Sequence, residues 1–284
     1  MLVITNKFII KNKTFLIYSK NKKKYLKKIY NSRDLDGLKK EIAGYKYFKK
    51  EKLFNIPKVI SYKLKGRKKN INIEFIHGKK PSIFDIKKVF KKKIFNIKKK
   101  KISRYITLMR SYHKENKFFL ALNNKYNLNK ISKKNIFTSF THGDFVNYNC
   151  LKSHKIIYVY DFEKFGERIY LYDFLNWYLH PIFSKLSTLI CNLNFKFFDK
   201  IIVFITLRAF NYFVYKLIFK NQIFKIKINY NDFKIYVFLY LLEKITILNK
   251  DLTFLKNSQN KKIGKKHLSI LKLIIIKIYS EIIN

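Results

Sequence analysis

Residues 141–163 read THGDFVNYNCLKSHKIIYVYDFE, and the architecture expected of the whole chain follows from them. Asp144 precedes Asn149 by five positions. A tight turn at Lys152–Lys155 leads into the apolar run Ile156–Tyr160, which ends in Asp161-Phe162-Glu163. A hairpin of this kind returns the chain and sets Asp161 beside Asn149. Two carboxylates and an amide are the residue types that phosphoryl transfer to a hydroxyl requires. One carboxylate orients or deprotonates the attacking group, while a carboxylate and an amide oxygen hold Mg²⁺ against the phosphates of ATP. Taken singly, each of these residues is commonly a turn or cap residue. The weight lies in the ordered set.

Upstream of the hairpin, the first 76 residues alternate as strands do. Thr14–Ser19 and Lys24–Tyr30 are two expected strands, the second with Leu26, Lys28 and Tyr30 on one face. A helix is expected over Asp34–Lys52, where Leu38, Glu41, Ile42, Tyr45 and Phe48 recur at spacings of three and four. Ile56-Pro57 ends it. Val59–Leu64 and Asn70–Ile76 complete the strands, joined at Lys65-Gly66-Arg67. From His77-Gly78 onward the periodicity is mostly helical, with one helix over Ile102–Lys114 and long ones from Trp177 to the end. The expectation is an α+β chain with a lobe at 1–76 and a larger helical lobe at 77–284. The lysine runs Lys22–Lys24, Lys91–Lys93 and Lys98–Lys101 are expected to be solvated loops or helix ends.

The chain carries 63 Lys and Arg against 17 Asp and Glu, a net charge of +46 over 284 residues. Such an excess fits a polyanionic partner. It equally fits a base-composition bias, because Lys, Ile, Asn, Phe and Tyr dominate and the lysines spread over nearly the whole chain. Hydrophobic residues at 48% and aromatics at 18% exclude a disordered chain. The two cysteines, Cys150 and Cys191, have no zinc spacing and fit a reducing, cytoplasmic setting. The N-terminus lacks a long apolar core and a cleavage site. The most apolar segment, Ile201–Phe219, contains Arg208, Asn211 and Lys216 and reads as a buried helix, so no transmembrane segment is expected. Acids are not evenly placed. Asp144, Asp161, Glu163, Glu167 and Asp173 fall within 30 residues, where 17 acids spread evenly over 284 would put about two.

The ordered set extends beyond the hairpin. Glu41 in KKEIAGYKYFKK, NIPKVISY, EFIHG at 74–78, Tyr112-His113, HGDFVNYN, DFE and YDFLNW follow one another. This order resembles the aminoglycoside phosphotransferase and choline kinase superfamily, relatives of the protein kinases, over roughly residues 15–180. The resemblance implies a protein-kinase-like bilobal fold, with a small antiparallel N-terminal lobe, ATP between the lobes, and Mg²⁺. It implies Asp144 as catalytic base, and Asn149 and Asp161 as Mg²⁺ ligands. His142 and Asp173 would support the loop. Lys28 would reach the α- and β-phosphates and pair with Glu41, and Glu74, Phe75 and Ile76 would form the hinge that meets adenine. Lys27 stays open as the alternative to Lys28. The face shared with Leu26 and the position of Glu41 on the apolar side of its helix favour Lys28. Glu163 either assists the metal or forms a salt bridge.

The chain departs from the family in two places. It has no glycine-rich loop between the first two expected strands, where Ser19-Lys20-Asn21-Lys22 takes that position, and Tyr148 stands where many relatives have glycine or tryptophan. The expected activity is transfer of the γ-phosphate to a hydroxyl of a neutral or anionic small molecule, with a sugar or surface-polysaccharide saccharide as first choice. The stretch DFEKFGERIYLYDFLNW resembles phosphotransferases of surface-polysaccharide pathways. No specific nucleic acid is expected. Peripheral contact with an anionic membrane surface stays open. So do ATP versus GTP, a basic nucleic-acid- or membrane-surface-binding protein, and a kinase-like scaffold without turnover.

Overall fold

A computed structural model describes residues 2–10, 13–31, 34–52, 54–66, 68–82, 85, 90, 96–112, 129–181, 215–216, 226, 228–254 and 258–283. The expected helix over Ile201–Phe219, apart from 215–216, lies outside these residues, as do His113, Cys191 and Lys91–Lys93.

The backbone groups into two compact units, Met1–Asn96 with Phe140–Glu167, and Ile97–Ser139 with Arg168–Asn284. This grouping is discontinuous, unlike the expected division at residue 76. Its physical reason is aromatic packing that draws the 140–167 segment onto the first helix.

The first unit holds an antiparallel sheet ordered β1-β2-β3-β5-β4. Its strands are β1 Leu2–Ile10, β2 Lys13–Lys20, β3 Lys23–Tyr30, β4 Val59–Lys63 and β5 Lys69–Glu74. β1 was not expected. A bulge between Ile4 and Asn6 shifts its register against β2 and breaks the period of two that marks a strand. It is an edge strand with Ile4, Ile9 and Ile10 exposed. β2 and β3 join through Asn21 and Lys22, both with positive φ (51° and 61°), the backbone of a two-residue hairpin matched to strand twist.

Helix α1 spans Leu35–Glu51 and buries Leu38, Glu41, Ile42, Gly44, Tyr45 and Phe48. Phe162 lies against that face, its ring centroid 4.8 Å from that of Tyr45 and 5.1 Å from that of Phe48. Phe48 continues to Phe54 (4.7 Å), and Phe54 stacks on Phe145 (5.3 Å). The hairpin β8 Cys150–Ser153 and β9 Ile156–Val159 is tied to the same unit by bridges from Asn55 to Tyr158 and from Lys79 to Lys152.

In the second unit Lys98–Lys101 forms β6, which pairs with β7 (Asn135–Thr141). This corrects the expectation of a loop or helix end. Pairing needs only backbone groups, and an edge strand of lysines keeps its ammonium groups in water while discouraging further pairing. β7 also pairs with β10 (Gly166–Ile169). Helix α2 covers Ile102–Tyr112, the stretch 172–181 is helical, and α3 (Tyr230–Phe254) packs along α4 (Ser258–Ile283). Arg168 and Glu243 form a buried ion pair (2.7 Å) that the Tyr105 hydroxyl joins at 3.2 Å. Among the described residues, no helix is long and apolar enough to cross a membrane.

Gly44 sits mid-helix, where alanine ordinarily stabilises by about 0.5–1 kcal/mol. Here an added Cβ would lie 2.5 Å from the Cβ of Phe162. Overpacking of this kind costs about 1–3 kcal/mol. Gly44→Ala is therefore expected to lower the free energy of unfolding measured by urea denaturation. Phe162→Ala in the same chain removes the ring atoms that the added Cβ would meet at 2.9 and 3.1 Å but keeps the Cβ at 2.5 Å, so it should relieve only part of that penalty, giving a non-additive cycle.

Candidate active site

β7 ends at Thr141 and delivers His142, Gly143 and Asp144. Gly143 takes φ 82°, a left-handed backbone that glycine adopts without a Cβ penalty. The Asp144 amide donates to His142 Nδ1 (3.1 Å), so Nε2 carries the proton and donates to the Tyr160 carbonyl (2.8 Å). His142 is buried, with its ring 4.6 Å from that of Phe162. It braces the loop and does not face the cavity described below.

Asn149 closes a short 3-10 turn, Asn147–Asn149. Its Nδ2 donates to the Asp144 carbonyl (2.9 Å), which fixes the amide and leaves Oδ1 as the atom able to bind a cation. Its own carbonyl accepts from the Tyr160 amide (3.2 Å). The next residue after Tyr160 is Asp161, held at φ 68°. A non-glycine residue in that region is uncommon and clusters at functional sites. The hairpin thus ties Asn149 to the backbone one step before Asp161.

Lys28 on β3 is buried, 2.6 Å from Asp161 Oδ1 and 3.3 Å from Glu41 Oε2, and also contacts Glu163. Lys27 is half-buried and does not line the cavity. Ligand atoms of Glu41, Asp161 and Glu163 all lie within 4.8 Å of one another, and the Tyr30 hydroxyl contacts Glu41 and Glu163. Burial alone would lower the Lys28 pKa, but Glu41, Asp161 and Glu163 outweigh it and hold the ammonium charged. Burial pushes the Glu41 carboxyl up to about 8. Asp161 and Glu163 add to the rise, and Lys28 opposes it. Burial would also raise Glu163, yet Lys28 and Lys13 hold it below the usual carboxylate range.

These groups open on a cavity of about 610 Å³ within the first unit. Ile17, Leu26, Ile73 and Leu151 give it apolar walls. Glu74, Phe75 and Ile76 line it at the end of β5. The Glu74 amide donates to Lys58 O (2.9 Å) and the Phe75 amide to Lys24 O (3.1 Å). Asp144, Tyr148, Asn149, Asp161 and Glu163 line it together with Lys28, whereas Ser19–Lys22 does not. That loop lies between β2 and β3, because the unexpected β1 makes Thr14–Ser19 the second strand. The hairpin between β1 and β2 instead brings Lys13 to the cavity, where it contacts Glu163. Sequence reasoning missed Lys13 and Lys164, the latter 3.4 Å from Asp144. An apolar strand at 2–10 was the signal that would have found Lys13. Asp173 is buried in the helical stretch 172–181 of the second unit.

The donor set fits a divalent cation and a polyphosphate. Crowded carboxylates beside an amide oxygen suit a hard cation, and a buried lysine suits phosphate oxygens.

No family model and no curated protein matches the sequence. Solved structures do. An aminoglycoside phosphotransferase-like protein of Ralstonia eutropha superposes with a TM-score of 0.57 at 13% identity, covering 99% of this chain and 93% of its own. A thermostable aminoglycoside phosphotransferase APH(4)-Ia, in a ternary complex with ADP and hygromycin B, gives 0.54 at 10% identity, over 95% and 94%. Amicoumacin kinase hAmiN, in complex with AMP-PNP, Ca²⁺ and Ami, gives 0.51 at 13% identity, over 94% and 87%. The expected α+β, protein-kinase-like bilobal fold of the aminoglycoside phosphotransferase type is the fold this chain has.

The raised Glu41 carboxyl has a consequence for stability. Its folded-state pKa, about 8, exceeds the ordinary value of about 4.3, so the fold favours the protonated form. That contribution is complete below about pH 4 and is lost as pH rises through about 8. In metal-free buffer the melting temperature is expected to fall between pH 6 and pH 9, and Glu41→Gln should flatten that fall in differential scanning fluorimetry.

Proposed function

We propose that the chain is an ATP-dependent phosphotransferase acting on a hydroxylated small molecule. The observation that carries this reading is the single cavity shared by Asp144, Asn149, Asp161 and Lys28. Asn149 Oδ1 and the Asp161 carboxylate would hold Mg²⁺. When bound, the ion would neutralise charge developing on the phosphate oxygens. Lys28, kept charged by its acids, would bind the α- and β-phosphates. The backbone at Glu74–Ile76 would meet adenine. Among the described residues the Ile76 amide has no protein acceptor, which supports that placement. His142 would hold the Asp144 loop from behind.

In the reaction Asp144 takes the proton of the acceptor hydroxyl as its oxygen bonds to the γ-phosphorus. The bond from that phosphorus to the β–γ bridging oxygen breaks, and ADP leaves with the electron pair. Catalysis rests on positioning and fixed charge.

The acceptor is proposed to be neutral or anionic, a sugar or saccharide first. A polycation would need converging carboxylates beyond Tyr178, where the sequence has only Asp199, Asp232, Glu243, Asp251 and Glu281. Glu243 is bound by Arg168 and Tyr105. Asp232 accepts from Asn229 Nδ2 (2.9 Å) at the start of α3. Two of the five are therefore engaged in structure.

Asp144→Asn is expected to lower turnover by roughly 10²–10⁴-fold, with Mg-ATP affinity by calorimetry nearly unchanged. Asp161→Ala should remove the Mg²⁺ dependence of nucleotide binding, and Lys28→Met should weaken ATP binding more than Lys27→Met. Assays of ADP release should favour neutral or phosphorylated sugars over kanamycin-type aminoglycosides and choline. Salt-sensitive RNA or anionic-vesicle binding with no ADP release from any acceptor would favour a binding protein or scaffold instead.

A further inference from the structure

Where backbone amides hold a phosphate, glycine is the usual residue, because the backbone must approach the ligand closely. Residues 10–13 here are Ile-Lys-Asn-Lys, with no glycine, and Ile10 pairs directly with Lys13 across a two-residue connection. A side chain stands where backbone would otherwise serve. Lys13 lines the cavity, its side chain is 14% exposed, and its ammonium contacts Glu163. Its Nζ lies 5.2 Å from the Tyr30 ring, and Lys28 Nζ lies at 5.2 Å from the same ring. Two ammonium groups thus converge on Tyr30 and Glu163. Like charges so close are held by the carboxylates Asp161 and Glu163, and both lysines line one cavity.

We infer that Lys13 is a phosphate-binding residue, and that its ammonium passes from Glu163 to the terminal phosphates of a bound nucleoside triphosphate in place of glycine-loop amides. This rests on the phosphotransferase reading. Glu163 keeps Lys28 when Lys13 leaves, so no buried carboxylate is stranded. A triphosphate offers Lys13 several charged oxygens where Glu163 offers two, and charge-assisted bonds of this type are the strong ones. The residue would therefore discriminate by phosphate count and be indifferent to the base. Exposed Lys20, at the far end of β2, does not line this cavity and serves as the control.

The test is calorimetric titration of the full chain with Mg-AMP-PNP, ADP and adenosine. Lys13→Met should lose roughly 10- to 100-fold in AMP-PNP affinity, less for ADP, and at most about twofold for adenosine, on the scale of one charge-assisted bond. Lys13→Arg should recover most of the loss, and Lys20→Met should match wild type. Lys13→Gln, which keeps a polar stem, repeats the measurement should the Met variant not fold. Equal losses for all three ligands would make Lys13 a structural latch on Glu163 and overturn the inference, as would no loss at all. Binding of none of the three by wild type would overturn the phosphotransferase reading as well, which separates the two failures.

Discussion

A lysine ammonium buried among three acidic side chains is the constraint on which the rest of the first unit depends. Lys28 cannot be left in that place without partners, because an isolated buried charge costs far more than the fold can supply. Its partners come from distant parts of the chain. Glu41 is on α1, and Asp161 and Glu163 follow β9. Satisfying one side chain therefore requires the sheet, the helix and the hairpin to be placed together. The acids crowd one another in turn, and the two lysines Lys28 and Lys13 stand between them.

Much of this was legible in the sequence. The spacing of Asp144, Asn149 and Asp161 carried the hairpin, and periodicity of three and four placed Glu41 on the buried side of α1. What escaped has identifiable physical causes. β1 was hidden by the bulge at Ile4/Asn6, which breaks alternation, and without it the strands are counted one short, so the hairpin that carries Lys13 goes unnoticed. Lys98–Lys101 was hidden because an edge strand is specified by backbone pairing, to which charged side chains are indifferent. The engagement of Glu163 with both Lys13 and Lys28 depends on three-dimensional convergence that no local pattern encodes. Arg168 and Glu243 are 75 positions apart, and nothing in either segment marks them as partners.

The large positive charge and the few acids acquire a common meaning in this light. Acids are scarce, and those in the described structure are mostly committed. Glu41, Asp161 and Glu163 surround Lys28, Asp144 meets Lys164, and Glu243 neutralises Arg168.

The missing side chain at position 44 bears on how freely the first helix can move. Helix α1 lies so close to Phe162 that an added methyl would not fit between them. Any outward displacement of the helix would uncover Phe48 and Phe162 together and withdraw Glu41 from Lys28, so aromatic packing and a buried polar partner would be forfeited at once.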